Sequence, residues 1–145
     1  MKKLLDSYKG IIEFAIGREI KAYQLYTDLS KKMFLPEICE LCEELAKEEL
    51  EHKAKLEREI AKRCELVSPV NTSKYRILYS NVNIFKNRIE MFSFAIKKEQ
   101  ASVQLYQDLA AIVKNEEARQ MFVWLAEQEK EHKRQFEREY RKCLK

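Results

Sequence analysis

The sequence has little with which to interrupt a helix. Only two glycines and two prolines occur in 145 residues, too few turn formers for a fold built on sheets. No run of 18 apolar residues occurs, so no membrane-spanning helix is expected. Met1-Lys2-Lys3-Leu4-Leu5 opens like the basic start of a signal peptide, but Asp6, Lys9 and Glu13 break up any apolar stretch. Export is therefore not expected. Long blocks of one charge are also missing. The 28 basic and 24 acidic side chains leave a net charge of +4 spread along the chain, which argues against nucleic acid or a membrane surface as partner. Four cysteines (Cys39, Cys42, Cys64 and Cys143) are too few for a disulfide scaffold, so a reducing, cytoplasmic location is expected.

What is abundant is Lys, Glu, Leu, Ile and Ala, an all-α composition. The chain also repeats itself at an offset of 80 residues. Phe14-Ala15-Ile16 returns as Phe94-Ala95-Ile96, Gln24-Leu25-Tyr26 as Gln104-Leu105-Tyr106, and Asp28-Leu29 as Asp108-Leu109. Leu45-Ala46 returns as Leu125-Ala126, Glu51-His52-Lys53 as Glu131-His132-Lys133, and Glu57-Arg58-Glu59 as Glu137-Arg138-Glu139. A gapless repeat over two long segments points to one folding unit written twice.

Each unit reads as a helical hairpin. The first helix is predicted over about 7–32, with Ile12, Ile16, Tyr23, Tyr26 and Leu29 at three- and four-residue steps. Pro36 is a natural first residue for the second, which is expected to run to about Cys64 with Ile38, Cys42, Leu45, Leu56 and Ile60 on one stripe. Ser, Asn, Pro and Thr mark 67–83 as the linker. The third helix is predicted over about 84–113. Asn115 is placed to cap the fourth, which runs nearly to the end. One domain over 1–145 is expected, with repeat 1 at about 7–66, linker 67–83 and repeat 2 at about 84–145. Helices of this length span roughly 40 Å. Two short loops and a long middle connection fit a four-helix bundle with a crossover. The same linker also permits a domain-swapped dimer.

Two Glu-x-x-His motifs, Glu49 to His52 and Glu129 to His132, stand at the repeat offset. Each has an upstream acid in register, Glu19 and Glu99. Residues three apart share a helix face, and all six fall on the inward stripes. Four buried carboxylates would repel one another and each would lose hydration at a cost of several kcal/mol. Two divalent cations remove both penalties. Two lone glutamates and two Glu-x-x-His pairs are the ligand inventory of a dinuclear site in a helical bundle. Oxygen and imidazole donors without thiolate suit iron or manganese. Glu49 and Glu129 are expected to bridge, with Glu19 and His52 completing one metal and Glu99 and His132 the other. One Glu-x-x-His in a Glu-rich helix would be a weak signal. Two in register, holding the only two histidines, form a strong one.

Other residues carry more than one reading. Tyr26 and Tyr106 lie seven residues after Glu19 and Glu99, either as core aromatics or as donors that orient a metal-bound carboxylate. Asp28 and Asp108 suggest a polar contact on or between helices. Trp124 suggests packing. Glu48, Glu51, Glu57, Glu127 and Glu131 are expected to be solvated charge. Cys39-x-x-Cys42 is either core packing or a redox dithiol or weak metal site, while Cys64 and Cys143 have no assigned role.

Glu19-x6-Tyr26, Glu49-x-x-His52, Glu99-x6-Tyr106 and Glu129-x-x-His132 together resemble the rubrerythrin group of ferritin-like di-iron carboxylate proteins. The resemblance spans most of the chain outside the linker. It implies a ferritin-like four-helix bundle and a carboxylate-bridged pair of irons, with manganese or a mixed pair as alternatives. It further implies an oxidoreductase that reduces hydrogen peroxide or oxygen in protection against oxidative stress. The 145 residues hold no rubredoxin domain, so a separate electron donor such as rubredoxin or a reductase is expected, and a homodimer. The group also carries an extra Glu three residues after the third helix's ligand. Here that residue is Ser102, and Ala22 is its repeat equivalent. Ferroxidase or iron-handling activity is the alternative, as is a non-enzymatic, metal-stabilised bundle.

Overall fold

The computed structural model describes residues 4–33, 35–77 and 85–145. The chain divides into two compact units, one of residues 6–63 and one of residues 1–5 with 64–145.

In the first unit, α1 (Tyr8–Lys32) packs on α2 (Pro36–Glu57). Ser7 caps α1 by accepting a hydrogen bond from the Gly10 amide at 3.0 Å. Lys31 and Lys32 in its last turn complement the helix dipole. Pro36 opens α2, where its missing N–H costs nothing. Ile12, Leu29, Ile38, Cys42, Leu45 and Leu56 are buried as their spacing predicts, and Ile16 and Tyr23 are half-buried. Phe34, in the expected loop, lies outside the described residues.

The second helix ends seven residues earlier than the expected Cys64. After Glu57 the chain tightens, with i to i−3 hydrogen bonds from Glu59 to Leu56 at 2.9 Å and from Lys62 to Glu59 at 3.0 Å. Ile60 was expected on the core stripe but is 37% exposed. The tighter winding turns Glu59 inward instead, where Tyr8 Oη donates to Glu59 Oε1 at 2.7 Å. Lys62 Nζ reaches the other oxygen at 2.8 Å.

In the second unit, α3 (Arg88–Ile112) packs on α4 (Glu116–Cys143). The helix starts preserve the 80-residue offset: Tyr8 with Arg88 and Pro36 with Glu116. Asn87 caps α3 by accepting from the Glu90 amide at 2.9 Å, so this helix starts later than the expected 84. Residue 84 itself lies outside the described residues. Asn115 caps α4 as predicted, accepting from the Ala118 amide at 2.9 Å. Phe92 meets Phe136 and Tyr106 stacks on Phe122, both with ring centroids 6.2 Å apart. Trp124, expected to pack, is 40% exposed.

The linker starts at the far end of α3. Val67 N–H bonds the Ile112 carbonyl at 2.7 Å and Lys114 N–H bonds that of Glu65 at 2.9 Å. Two short strands follow from this, β1 (Leu4–Leu5) and β2 (Val70–Asn71), paired antiparallel with Leu4 opposite Asn71. A 3-10 turn over Thr72–Tyr75 then brings the linker back beside α3. There Tyr75 Oη donates to Asp108, and Lys74 Nζ lies 3.2 Å from the same carboxylate. Residues 78–83 of the expected linker lie outside the described residues.

Candidate metal centre

Glu19 sits in the middle of α1, with Ala15 and Ala22 buried one turn to either side. Glu99 sits in the middle of α3 between Ala95 and Ser102, both buried. The small neighbours leave the carboxylates room within the apolar rows. Glu49 and His52 share the inward face of α2, and Glu129 and His132 that of α4, as i, i+3 spacing dictates. All six predicted ligands are at most 3% exposed.

Within the first unit Glu19, Glu49 and His52 come together. His52 Nδ1 lies 3.4 Å from Glu49 Oε1 and 3.6 Å from Glu19 Oε2. Within the second unit His132 Nδ1 lies 3.8 Å from both Glu99 Oε2 and Glu129 Oε1. In each triplet the donor atoms are within 4.8 Å of one another. The His–Glu separations exceed a good hydrogen bond, about 2.7–3.2 Å. They fall within the span of donors around one cation: metal–ligand bonds of about 2.1 Å put adjacent donors roughly 3–3.4 Å apart and opposite donors about 4.2 Å apart. The donor set is carboxylate and imidazole only, which fits iron or manganese.

The electrostatics agree. Burial alone would lower the His52 pKa, but the Glu19 and Glu49 carboxylates outweigh it and raise the imidazole to about 10. Without a metal, a proton on His52 supplies part of the cationic charge that the two acids demand. A cation among these donors would take that proton's place.

One residue of this neighbourhood was missed. Lys98 is 7% exposed, and its Nζ donates to Glu99 Oε1 at 3.2 Å. Two signals were present in the sequence. Lys98 occupies the core row Met91, Ala95, Lys98, Ser102, Leu105, Leu109, and a basic residue precedes the lone Glu in both repeats, Arg18-Glu19 and Lys98-Glu99. Arg18 is half-buried.

Tyr26 and Tyr106 are buried at 0% and 1% exposure. Asp108 makes the polar contact expected of it, but to the linker. Glu51, Glu57, Glu127 and Glu131 are exposed, as expected, and the last three pair with Lys53, Lys130 and Arg134. None of the four cysteines is joined in a disulfide. Cys39 Sγ donates to the Met33 carbonyl at 3.0 Å, and Cys42 is buried.

A model of the rubrerythrin family matches residues 10–140. The chain belongs to the rubrerythrin family. Solved structures similar to this rubrerythrin-family chain include a hypothetical protein from Pyrococcus furiosus. That likeness has 26% identity and a TM-score of 0.73, over 94% of this chain and 89% of the other. Another is a putative ferritin-like diiron-carboxylate protein from Thermotoga maritima, at 22% identity and TM-score 0.79, over 94% and 96% of the two chains. No curated protein matches the sequence. The fold is thus the ferritin-like one that the resemblance implies, and family membership implies iron binding. Among the described residues no helix is long and apolar enough to cross a membrane.

Proposed function

We propose that the two triplets are halves of one dinuclear iron centre and that residues 1–145 act as one ferritin-like domain around it. Glu49 and Glu129 would bridge the two ions, Glu19 and His52 would complete one, and Glu99 and His132 would complete the other. The duplicated, buried Glu/Glu/His triplet is the observation that carries this reading. Four carboxylates balance two divalent cations, and the in-register repeat supplies each ion with the same donors. Manganese or a mixed pair would satisfy the same set.

The function that follows is an oxidoreductase that reduces hydrogen peroxide or oxygen, in the service of oxidative-stress protection. When bound, the metal pair would supply the electrons that reduce an oxygen substrate. The protein's own part is to hold the donors and keep bulk water out. Glu19, Glu49, Glu99 and Glu129 fix the charge of the centre. His52 and His132 serve it through neutral imidazoles. Tyr26 and Tyr106, seven residues after Glu19 and Glu99, would orient metal-bound carboxylates. Electrons come from a separate donor such as rubredoxin or a reductase, in the cytoplasm, and the protein works as a homodimer.

Anaerobic loading with Fe(II), followed by hydrogen peroxide and optical monitoring, tests the proposal. Peroxide should be consumed in proportion to bound iron, with a visible absorbance change. Iron bound without either response rejects the oxidoreductase. A second reading, ferroxidase or iron handling, is favoured by Ser102, buried where the family carries an extra Glu. The smaller donor set lies closer to the plain ferritin pattern. Oxygen uptake on Fe(II) addition, with little response to peroxide, selects it.

A further inference from the structure

We propose that Lys98 is a positioning residue that makes the Glu99, Glu129 and His132 half of the centre the weaker metal site. This rests on the dinuclear reading above. Lys98 Nζ lies 3.2 Å from Glu99 Oε1, with 9% of the lysine side chain and none of the glutamate side chain exposed. The other oxygen, Oε2, is the one that faces His132 Nδ1. The two oxygens of Glu99 therefore have separate tasks. One is held by an ammonium, and the other lies on the His132 side, where a cation would bind.

Two consequences follow. Glu99 is restricted to binding a metal through one oxygen, since chelation would require Oε1 to leave Lys98. The ammonium also stands close to any cation bound at Oε2, and in a buried setting like charges repel with little screening. Both effects weaken this half relative to the other. The repeat gives the contrast: the residue before Glu19 is Arg18, a half-buried guanidinium rather than a buried ammonium. The chain thus has near-identical ligand triplets with unlike cationic neighbours. An ion in the weaker half would be the one more ready to exchange.

The test is Co(II) titration of the full chain, read by visible absorbance and calorimetry, in wild type, Lys98→Met and Lys98→Arg. Titration in His52→Ala and His132→Ala assigns each step to its half. Wild type should bind in two unequal steps, the weaker belonging to the His132 half. Lys98→Met should tighten that step roughly tenfold or more, the size of effect one neighbouring charge exerts on a buried acid. It should also lower the visible absorption, because a second carboxylate oxygen raises the coordination number. Lys98→Arg should stay close to wild type. Should Lys98→Met fail to fold, Lys98→Gln gives the same reading without the charge. Unchanged or weaker binding at that step, with wild type still taking up two ions, overturns the role of Lys98 and leaves the dinuclear centre standing. No Co(II) uptake by wild type overturns both.

Discussion

Tyr75 donates its hydroxyl proton to Asp108 across 33 residues of sequence, tying the linker to α3. Lys74 and Gln104 hold the same carboxylate, at 3.2 and 2.9 Å. Burial alone would raise the Asp108 pKa, but the hydrogen bonds from Tyr75, Gln104 and Lys74 outweigh it and hold the acid below its ordinary value. A folded pKa below the unfolded one gives stability above about pH 4 that is lost as pH falls through the folded value. Thermal unfolding of wild type and Asp108→Asn should therefore converge in acid and separate near neutrality. Tyr75→Phe should cost about 1 kcal/mol. Equal differences at both pH values would show that the contact does not depend on the charge.

Metal removal has a predictable sign. Glu19, Glu49, Glu99 and Glu129 are buried, so the carboxylates of each triplet repel when no cation balances them. A metal present at a hundred times its dissociation constant adds about 2.7 kcal/mol. For a chain of this size that raises Tm by roughly 5–10 °C. Chelation should reverse the gain. Glu129→Gln removes one of the four charges, so it should lower metal uptake while raising the Tm of the chelated protein. Differential scanning calorimetry with and without Fe(II) under argon checks both. A chelated variant less stable than chelated wild type would count against charge repulsion as the cost.

The end of α2 provides a contrast between two neighbours. Glu59 is 8% exposed and takes its hydrogen bond from Tyr8, whereas Ile60 is 37% exposed. Tyr8→Phe strands a buried carboxylate oxygen and should cost about 1–3 kcal/mol. Ile60→Ser should change stability by less than about 0.5 kcal/mol. Urea unfolding midpoints of the two variants decide the matter. A large loss for Ile60→Ser would restore the apolar stripe that periodicity suggested.

That contrast shows where the sequence was legible. Pro36 and Asn115 marked helix starts because their chemistry there is local, and both stand where expected; Ser7, expected as the first residue of α1, is its cap. The six candidate ligands were legible because duplication printed the same buried polar pattern twice. Ile60 misled because it continues a three-to-four step that the tighter turn after Glu57 interrupts, where Glu59 takes a hydrogen bond from Tyr8, 51 residues away in sequence. Asn87 is a readable cap, but apolar residues stand shortly before it and extend the helical pattern past it. Leu4-Leu5 gave no strand signal, since a two-residue strand has no period and takes its shape from Val70-Asn71. Lys98 was hidden by habit, because a lysine in a charged helix is usually solvated.

The paired cysteines of α2 give the last prediction. Cys42 is buried, and its thiol is pushed up to about 12, first by that burial and then by Cys39 and Glu43. The thiolate is the reactive form, so at neutral pH almost none of Cys42 can attack a reagent or a disulfide. Cys39 Sγ is engaged with the Met33 carbonyl at 3.0 Å. Core packing, not redox exchange, is the role this chemistry supports. A thiol reagent such as 5,5′-dithiobis(2-nitrobenzoate) should therefore modify Cys42 only when the protein unfolds, with a rate that follows unfolding in urea. Mass mapping identifies the modified residue at each time point. Rapid modification of Cys42 in the folded protein, or a Cys39–Cys42 bridge formed by mild oxidation without loss of helix, would return the pair to the redox reading.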